Sequence, residues 1–294
     1  GIKGPSGELV RIEMFAHGAL CMAISGKCYL SLQTYGASAN RGACYQLCRR
    51  GYEVTDLETG TKLNIDNKYI MSPKDLCTIE FMDKIIDAGV KVFKIEGRAR
   101  SAEYVKRCAQ CYRQAADAVC DGTYTPELVA SLKEELSEVF NRGFWDGYYQ
   151  GAKLGEWSSV YGSEATRKKV YCGKVTNWFD RIGVAEIAVE SASLKVGDKC
   201  MAIGSTTGVI EFTVKDLRVA LKPTEEAMKG MRCSVAVVPE NKGVRDGDVE
   251  VNADDSEALK SRAEADAVQV NADGKIPVRL RRGDKIYIWE AIKN

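Results

Sequence analysis

Residues 72–101 read SPKDLCTIEFMDKIIDAGVKVFKIEGRARS, and this stretch decides the fold class. Ser72, Pro73 and Asp75 combine a capping residue, a first-turn proline and an early acidic residue, which predicts a helix running to about Ala88 and stopped by Gly89. Residues 90–95 form a short, mostly apolar strand that ends in the polar run Glu96, Gly97 and Arg98. Ser101 then caps a second helix to about Cys120, with Val105, Cys108, Ala109, Tyr112, Ala116 and Val119 at helical spacing. A third helix follows Thr125 and Pro126. Strand and helix in alternation give the βαβ pattern of a parallel sheet or barrel, whose sites gather at the C-terminal ends of the strands.

Upstream, residues 9–17 alternate as a strand does, with Glu13, Phe15 and His17 on one face and Ile12, Met14 and Ala16 on the other. The one histidine thus shares a face with a carboxylate, and His17, Glu96 and Arg98 all fall at strand ends. Residues 52–65 read as a hairpin turning at Glu58, Thr59 and Gly60. Downstream the pattern changes near residue 165. Short strand candidates follow at 170–175, 184–189, 200–203, 209–214, 234–238 and 286–289. Gly197-Asp198-Lys199 recurs as Gly283-Asp284-Lys285, each a turn feeding a strand, which suits a small closed β-barrel. Residues 241–275 are polar and read as a long excursion. Two domains are expected, 1–164 and 165–294.

The 42 Lys and Arg balance 41 Asp and Glu, so no global field draws the molecule to a polyanion and nucleic-acid contact must use local patches. No apolar run approaches the ~20 residues that cross a bilayer, and the start lacks a signal-peptide succession, so a cytoplasmic protein is expected.

Eleven cysteines are present, and five of them, Cys21, Cys28, Cys44, Cys48 and Cys77, are crowded into one region. The intervals are six, fifteen, three and twenty-eight residues. Zinc sites come as close pairs, and no CxxC occurs in this region. Soft thiolates without nearby histidines favour an iron–sulfur cluster, but spacing alone leaves reduced structural cysteines as an equal alternative. Cys108 and Cys111 do form a CxxC, within a helix where packing is the expected role.

The stretch from Glu13 to Ser31, EMFAHGALCMAISGKCYLS, resembles the signature of peptidase family U32. NRGACYQLCRR from Asn40, KIEGR from Lys94 and NRGFWDG from Asn141 resemble further blocks of that family in the expected order. The likeness is strongest to the branch that makes 5-hydroxyuridine at the wobble position of tRNA, with prephenate as hydroxyl source and without molecular oxygen. It implies a [4Fe–4S] cluster on Cys21, Cys28, Cys44 and Cys77, with Cys48 as the spare. It also implies a (β/α) TIM-type barrel, partial here because family members carry a further N-terminal segment supplying its first strands, followed by a C-terminal β-barrel. Other members are called collagenase-like peptidases. A noncatalytic cluster-bearing RNA-binding module is a third reading.

A peptidase needs a nucleophile beside a base, and His17 with Cys21 is the one conceivable pair; no HExxH motif is present. For the hydroxylase reading, Glu13, His17 and Glu96 are candidate acid/base groups, against the alternative of buried ion pairs or a satisfied histidine. Arg41, Arg49, Arg50, Lys94, Arg98 and Arg100 supply cations for prephenate and tRNA, or are solvated charges. Phe144, Trp145, Tyr148, Tyr149 and Trp157 either stack bases or seal a joint between domains. The terminal β-domain resembles small barrels that dock on RNA.

Overall fold

The structure, a computed structural model, describes residues 1–21, 28–64, 73–152, 155–158, 162–239 and 279–292. Two compact units divide between Thr166 and Arg167.

The first unit holds β1 (Glu13–Ala19), β2 (Glu53–Thr55), β3 (Lys62–Asn64), β4 (Asp75–Cys77), β5 (Val92–Ile95) and β6 (Phe144–Trp145). Its helices are α1 (Leu30–Tyr35), α2 (Met82–Asp87), α3 (Ala102–Asp121) and α4 (Pro126–Ser137). Four strands form an open sheet in the order β5-β1-β4-β6, while β2 and β3 form the expected hairpin apart from it. The β1–β5 and β4–β6 pairs are parallel, as a βα-barrel requires, but β1–β4 is antiparallel.

Two sequence expectations are corrected here. The helix expected from Ser72 does not start there: Ser72 lies outside the described residues, and Asp75–Cys77 is a buried strand. The Asp75 backbone N–H donates to the Gly143 carbonyl at 3.0 Å, so sheet pairing overrides the helix-start signal and α2 begins only at Met82. The shared face of Glu13 and His17 is also broken. A register shift between Phe15 and His17 interrupts the period-two alternation, leaving Glu13 exposed while Ala16, His17 and Gly18 are all buried.

The core of this unit lies between the sheet and the helices, around Ile79, Met82, Tyr104, Tyr112, Leu132 and Leu136. Helix α3 contributes Tyr104, Cys108, Cys111, Tyr112, Ala115 and Ala118, one position round from part of the expected stripe, and Val105 is 42% exposed. Cys108 and Cys111 are both packed in this core. Thr125 caps α4 through a hydrogen bond accepted from the Leu128 N–H, with Pro126 at its first turn.

The second unit is built on an eight-stranded sheet. Its strands are β7 (Arg167–Phe179), β8 (Val184–Val189), β9 (Leu194–Lys195), β10 (Lys199–Gly204), β11 (Gly208–Thr213), β12 (Leu217–Val219), β13 (Lys222–Pro223), β14 (Glu226–Ala227), β15 (Arg232–Ala236) and β16 (Lys285–Ala291). The sheet order is β11-β10-β16-β7-β8-β15-β12-β13, with β14 and β9 paired separately. Phe212 on β11 also bridges to Pro239 just beyond β15, which requires the sheet to curl toward a barrel. Cys172, Cys200 and Cys233 are buried in its core with Ile187, Phe212 and Ile286, as their apolar neighbours suggested. The excursion expected at 241–275 lies outside the described residues.

At Gly173 a Cβ would sit 1.9 Å from the Ala188 carbonyl oxygen, so β7 and β8 approach too closely for any side chain. Gly173→Ala is expected to lower unfolding stability by about 1–3 kcal/mol. A urea midpoint equal to wild type would show that this approach is slack.

Candidate functional site

The parallel strands β1 and β5 end side by side, and the loops beyond them carry the candidate chemistry. His17 stands opposite Cys77 on β4 and Ile95 on β5, and its carbonyl accepts from the Glu96 N–H at 2.9 Å. Gly18 follows at φ +121°, where a Cβ would meet the Glu96 Cβ at 2.9 Å and the Tyr104 hydroxyl at 3.3 Å. Only glycine lets β1 and the β5 end close on each other here.

His17 is 1% exposed. Its Nδ1 is 3.3 Å from the Tyr112 hydroxyl, and the rings of Tyr104, Tyr112 and Phe144 surround it. Tyr112 is itself committed, since its hydroxyl donates to the Ala16 carbonyl at 2.9 Å and accepts from the Thr78 N–H at 2.9 Å. Burial, reinforced by the Arg100 charge, lowers the His17 pKa from 6.5 to about 3, so the ring is neutral at physiological pH. The unfolded chain takes up a proton near pH 6.5 that the folded chain refuses until about pH 3. The stability this group contributes is therefore present above pH 6.5 and lost as pH falls, by about 1.4 kcal/mol per pH unit within that window. His17→Gln is expected to show a smaller drop in urea midpoint between pH 7 and pH 5 than wild type; equal drops would refute the assignment.

Beside His17 lies a group of charges of which the sequence singled out Arg100 but neither Asp75 nor Arg142 as a site residue. Asp75, 1% exposed, pairs in register with Ala19. Its two carboxylate oxygens accept from Arg100 Nη2 and Arg142 Nη1, each at 3.3 Å. Phe140 is shared by both guanidiniums, at 4.1 Å from Arg100 and 5.1 Å from Arg142. Burial outweighs the pull of Arg100, Arg142 and Arg49 and raises the Asp75 pKa, and burial with the neighbouring Arg49 charge lowers that of Arg142. Arg142 was visible only as a member of the NRGFWDG block, and Asp75 only as a supposed helix-start acid. Their 67-residue separation hid the pair. Nearby, the Tyr104 hydroxyl is buried with no hydrogen-bond partner among the described residues.

Arg49 joins this charge group to the cysteine loops. Its Nη2 donates to the Leu20 carbonyl at 3.2 Å and its Nη1 to the Pro73 carbonyl at 3.5 Å, tying the residue before Cys21 to the turn that carries Cys48. That turn, Leu47–Arg49, follows Gln46 in the left-handed region at φ 52° and is held by the Tyr52 hydroxyl on the Leu47 carbonyl at 2.7 Å. The buried Ser31 of α1 accepts from the Tyr45 N–H at 3.1 Å and anchors the neighbour of Cys44.

Cys21 and Cys44 are exposed, Cys28 and Cys48 half-buried. The Cys48 pKa is raised by burial and further by Cys44, Cys21 and Cys28, against the pull of Arg49. Three thiols thus lie within electrostatic reach of Cys48. Cys77, which the resemblance made the fourth ligand, is 2% exposed in the core with its Sγ 3.8 Å from the Tyr112 hydroxyl, and burial pushes its pKa up to about 11. Cys48, which the resemblance left as the spare, is the thiol on which those three act. Among the described residues no three His, Cys, Asp or Glu side chains stand close enough to bind a single metal ion. The thiols of Cys21, Cys28, Cys44 and Cys48 are soft sulfur donors, the donor chemistry that an iron–sulfur group takes.

The remaining sequence candidates scatter. Glu96 is half-buried and accepts from the Arg98 N–H at 2.8 Å, a local turn contact. Lys94, Arg98 and Arg41 are exposed. Arg50 donates to the Tyr35 hydroxyl at 2.9 Å and lies over that ring. Of the aromatic stretch, Trp145 is buried against Tyr148, and the Tyr149 hydroxyl donates to the Phe15 carbonyl at 2.9 Å.

The sequence pattern of Peptidase family U32 matches residues 5–159, more than half of the chain. The chain belongs to peptidase family U32. A U32 relative from Porphyromonas gingivalis named collagenase is 58% identical over 236 residues, covering 80% of this chain and 57% of that protein. A tRNA hydroxylation protein of Bacillus subtilis is 33% identical over 174 residues, covering 58% of this chain and 41% of that one. A 23S rRNA 5-hydroxycytidine synthase of Escherichia coli is 39% identical over 151 residues, covering 49% and 23%. This U32 chain therefore spans little more than half the length of the collagenase-named relative. Among the described residues no helix is long and apolar enough to cross a membrane.

Proposed function

We propose that this U32 chain belongs to a cytoplasmic RNA-modifying enzyme that hydroxylates a tRNA uridine at carbon 5 without molecular oxygen, using prephenate as hydroxyl source. The observation that supports it is the grouping of Cys21, Cys28, Cys44 and Cys48 beside the buried Asp75, Arg100 and Arg142 charges. In this reading the four thiolates hold a [4Fe–4S] cluster, which supplies electron transfer or a Lewis-acidic iron when bound. Arg49 fixes the ligand loops through the Leu20 and Pro73 carbonyls. Arg100 and Arg142, two guanidiniums on one carboxylate, provide the cationic surroundings that an anionic co-substrate needs. His17, neutral and enclosed, holds the strand ends rather than delivering a proton, and Tyr104 offers the unpartnered hydroxyl. The parallel β1–β5 and β4–β6 pairs supply strand ends of the kind at which a (β/α) architecture gathers its site.

The test is anaerobic reconstitution of the chain with iron and sulfide, followed by incubation with unmodified tRNA and prephenate and mass analysis of the nucleosides. Gain of 5-hydroxyuridine that depends on prephenate supports the reading. Unmodified uridine alongside cleavage of denatured collagen in the presence of an iron chelator overturns it.

The collagenase reading draws on the name of the 58% identical relative. At the level of the family it is supported as well as the hydroxylase reading. Among the described residues His17 has no thiol or serine hydroxyl hydrogen-bonded to its ring, and the adjacent Cys77 thiol is held protonated by burial.

A further inference from the structure

The second unit carries a cleft of about 390 Å³ that the chemistry above does not use. Leu280, 1% exposed, lies in its lining, together with Trp178 and Asn177 at the end of β7 and Arg279, Arg281 and Arg282 before β16. Its scaffold is tied by hydrogen bonds. Asp284, 6% exposed, accepts from the Arg281 N–H at 2.8 Å and from the Thr207 hydroxyl at 2.6 Å, and a Cβ on Gly204 would fall 1.9 Å from its carboxylate. The turn into β16 is thereby fixed through backbone and carboxylate, leaving the Arg281 and Arg282 guanidiniums exposed. The Trp178 ring is oriented as well, because its Nε1 donates to Asp180 Oδ1 at 2.6 Å, while Asp180 Oδ2 lies 3.4 Å from Arg279. Next to the cleft, Lys285 on β16 stands directly opposite Lys174 on β7, a like-charge pair that disfavours the sheet unless an anion is near. Glu190, 2.8 Å from Lys174, meets part of that need.

A fixed aromatic ring flanked by exposed guanidiniums matches single-stranded nucleic acid, in which each base has a face to stack and each linkage a negative charge. We propose that the Trp178–Arg279–Arg281–Arg282 cleft docks a single-stranded segment of the RNA substrate, with a base on Trp178 and phosphates on Arg281 and Arg282. This rests on the RNA-modifying reading above and adds where the RNA is held. Arginines at positions 281 and 282, next to one another in a fixed turn, suit consecutive phosphates of one strand better than the single charge centre of a free mononucleotide.

The test measures fluorescence anisotropy of a labelled single-stranded RNA titrated with the whole chain across a salt series. Arg281→Glu/Arg282→Glu is expected to weaken binding by ~10-fold or more and to reduce the slope of log affinity on log salt by about 1.4, two phosphate contacts at ~0.7 each. Trp178→Ala is expected to cost ~10-fold, and Trp178→Phe to recover most of it, since a phenyl ring still stacks. Thermal melts of each variant matching wild type exclude unfolding as the cause. RNA binding by wild type that these variants leave unchanged overturns the cleft and spares the RNA reading. No RNA binding by wild type overturns both. Equal affinity for a mononucleotide and for the oligonucleotide overturns the strand-docking proposal in favour of a nucleotide pocket.

Discussion

Cys48→Ala, purified and reconstituted anaerobically, is expected to hold little iron or sulfide, whereas Cys77→Ala is expected to keep its full complement. Cys48 is the half-buried thiol on which Cys44, Cys21 and Cys28 all act, and loss of one thiolate from a four-cysteine set opens the cluster to solvent. Cys77 is a core side chain packed with Tyr112, Cys108 and Cys111. Its replacement leaves a small cavity and is expected to cost about 1–2 kcal/mol of unfolding stability instead. Iron and sulfide per chain, together with urea midpoints of the apo proteins, separate the two effects. The opposite pattern, with iron retained by Cys48→Ala and lost from Cys77→Ala, would restore the ligand set implied by resemblance alone.

Asp75→Asn is expected to destabilise the first unit by about 3–5 kcal/mol, the usual consequence of removing one partner from a buried ion pair. Side chains of Arg100 and Arg142 are only 8% and 13% exposed, so neither guanidinium can recover its hydration when the shared carboxylate is neutralised. The accompanying Asp75→Asn/Arg100→Met variant removes one orphaned charge and is expected to regain part of the loss. Chemical denaturation of both variants checks this. A cost under about 1 kcal/mol for Asp75→Asn would mean that the arginines are satisfied elsewhere and that Asp75 does not organise them.

Much of the second unit was legible because its strands alternate cleanly and its turns are marked by glycine. The expected strands 184–189 and 200–203 coincide with β8 and the middle of β10, and both Gly-Asp-Lys turns feed strands. Strand order was not legible, since β16 pairs with β7 and β10 across long stretches of chain. In the first unit both long helices lie where they were expected, α4 with its Thr125 cap and α3 without a side-chain cap from Ser101, but 73–77 was misread. Pro73 and Asp75 carry the same local chemistry in a helix start as in a strand end, and only partners on β1 and β6 decide between them.

The site follows the same division. Sequence by itself determined the family, the crowding of thiols and the presence of cations near the KIEGR and NRGACYQLCRR blocks, because these are matters of residue type and order. Tertiary structure alone decided which thiols are buried and which arginines meet a carboxylate. Cys48 and Cys77 are chemically identical in the sequence, and burial beside Tyr112 is what separates the second from the first. Arg98, predicted, lies exposed, while Arg142, unpredicted, reaches Asp75 from 67 residues away. Charge and coordination depend on distance and desolvation, and both are properties of the folded chain.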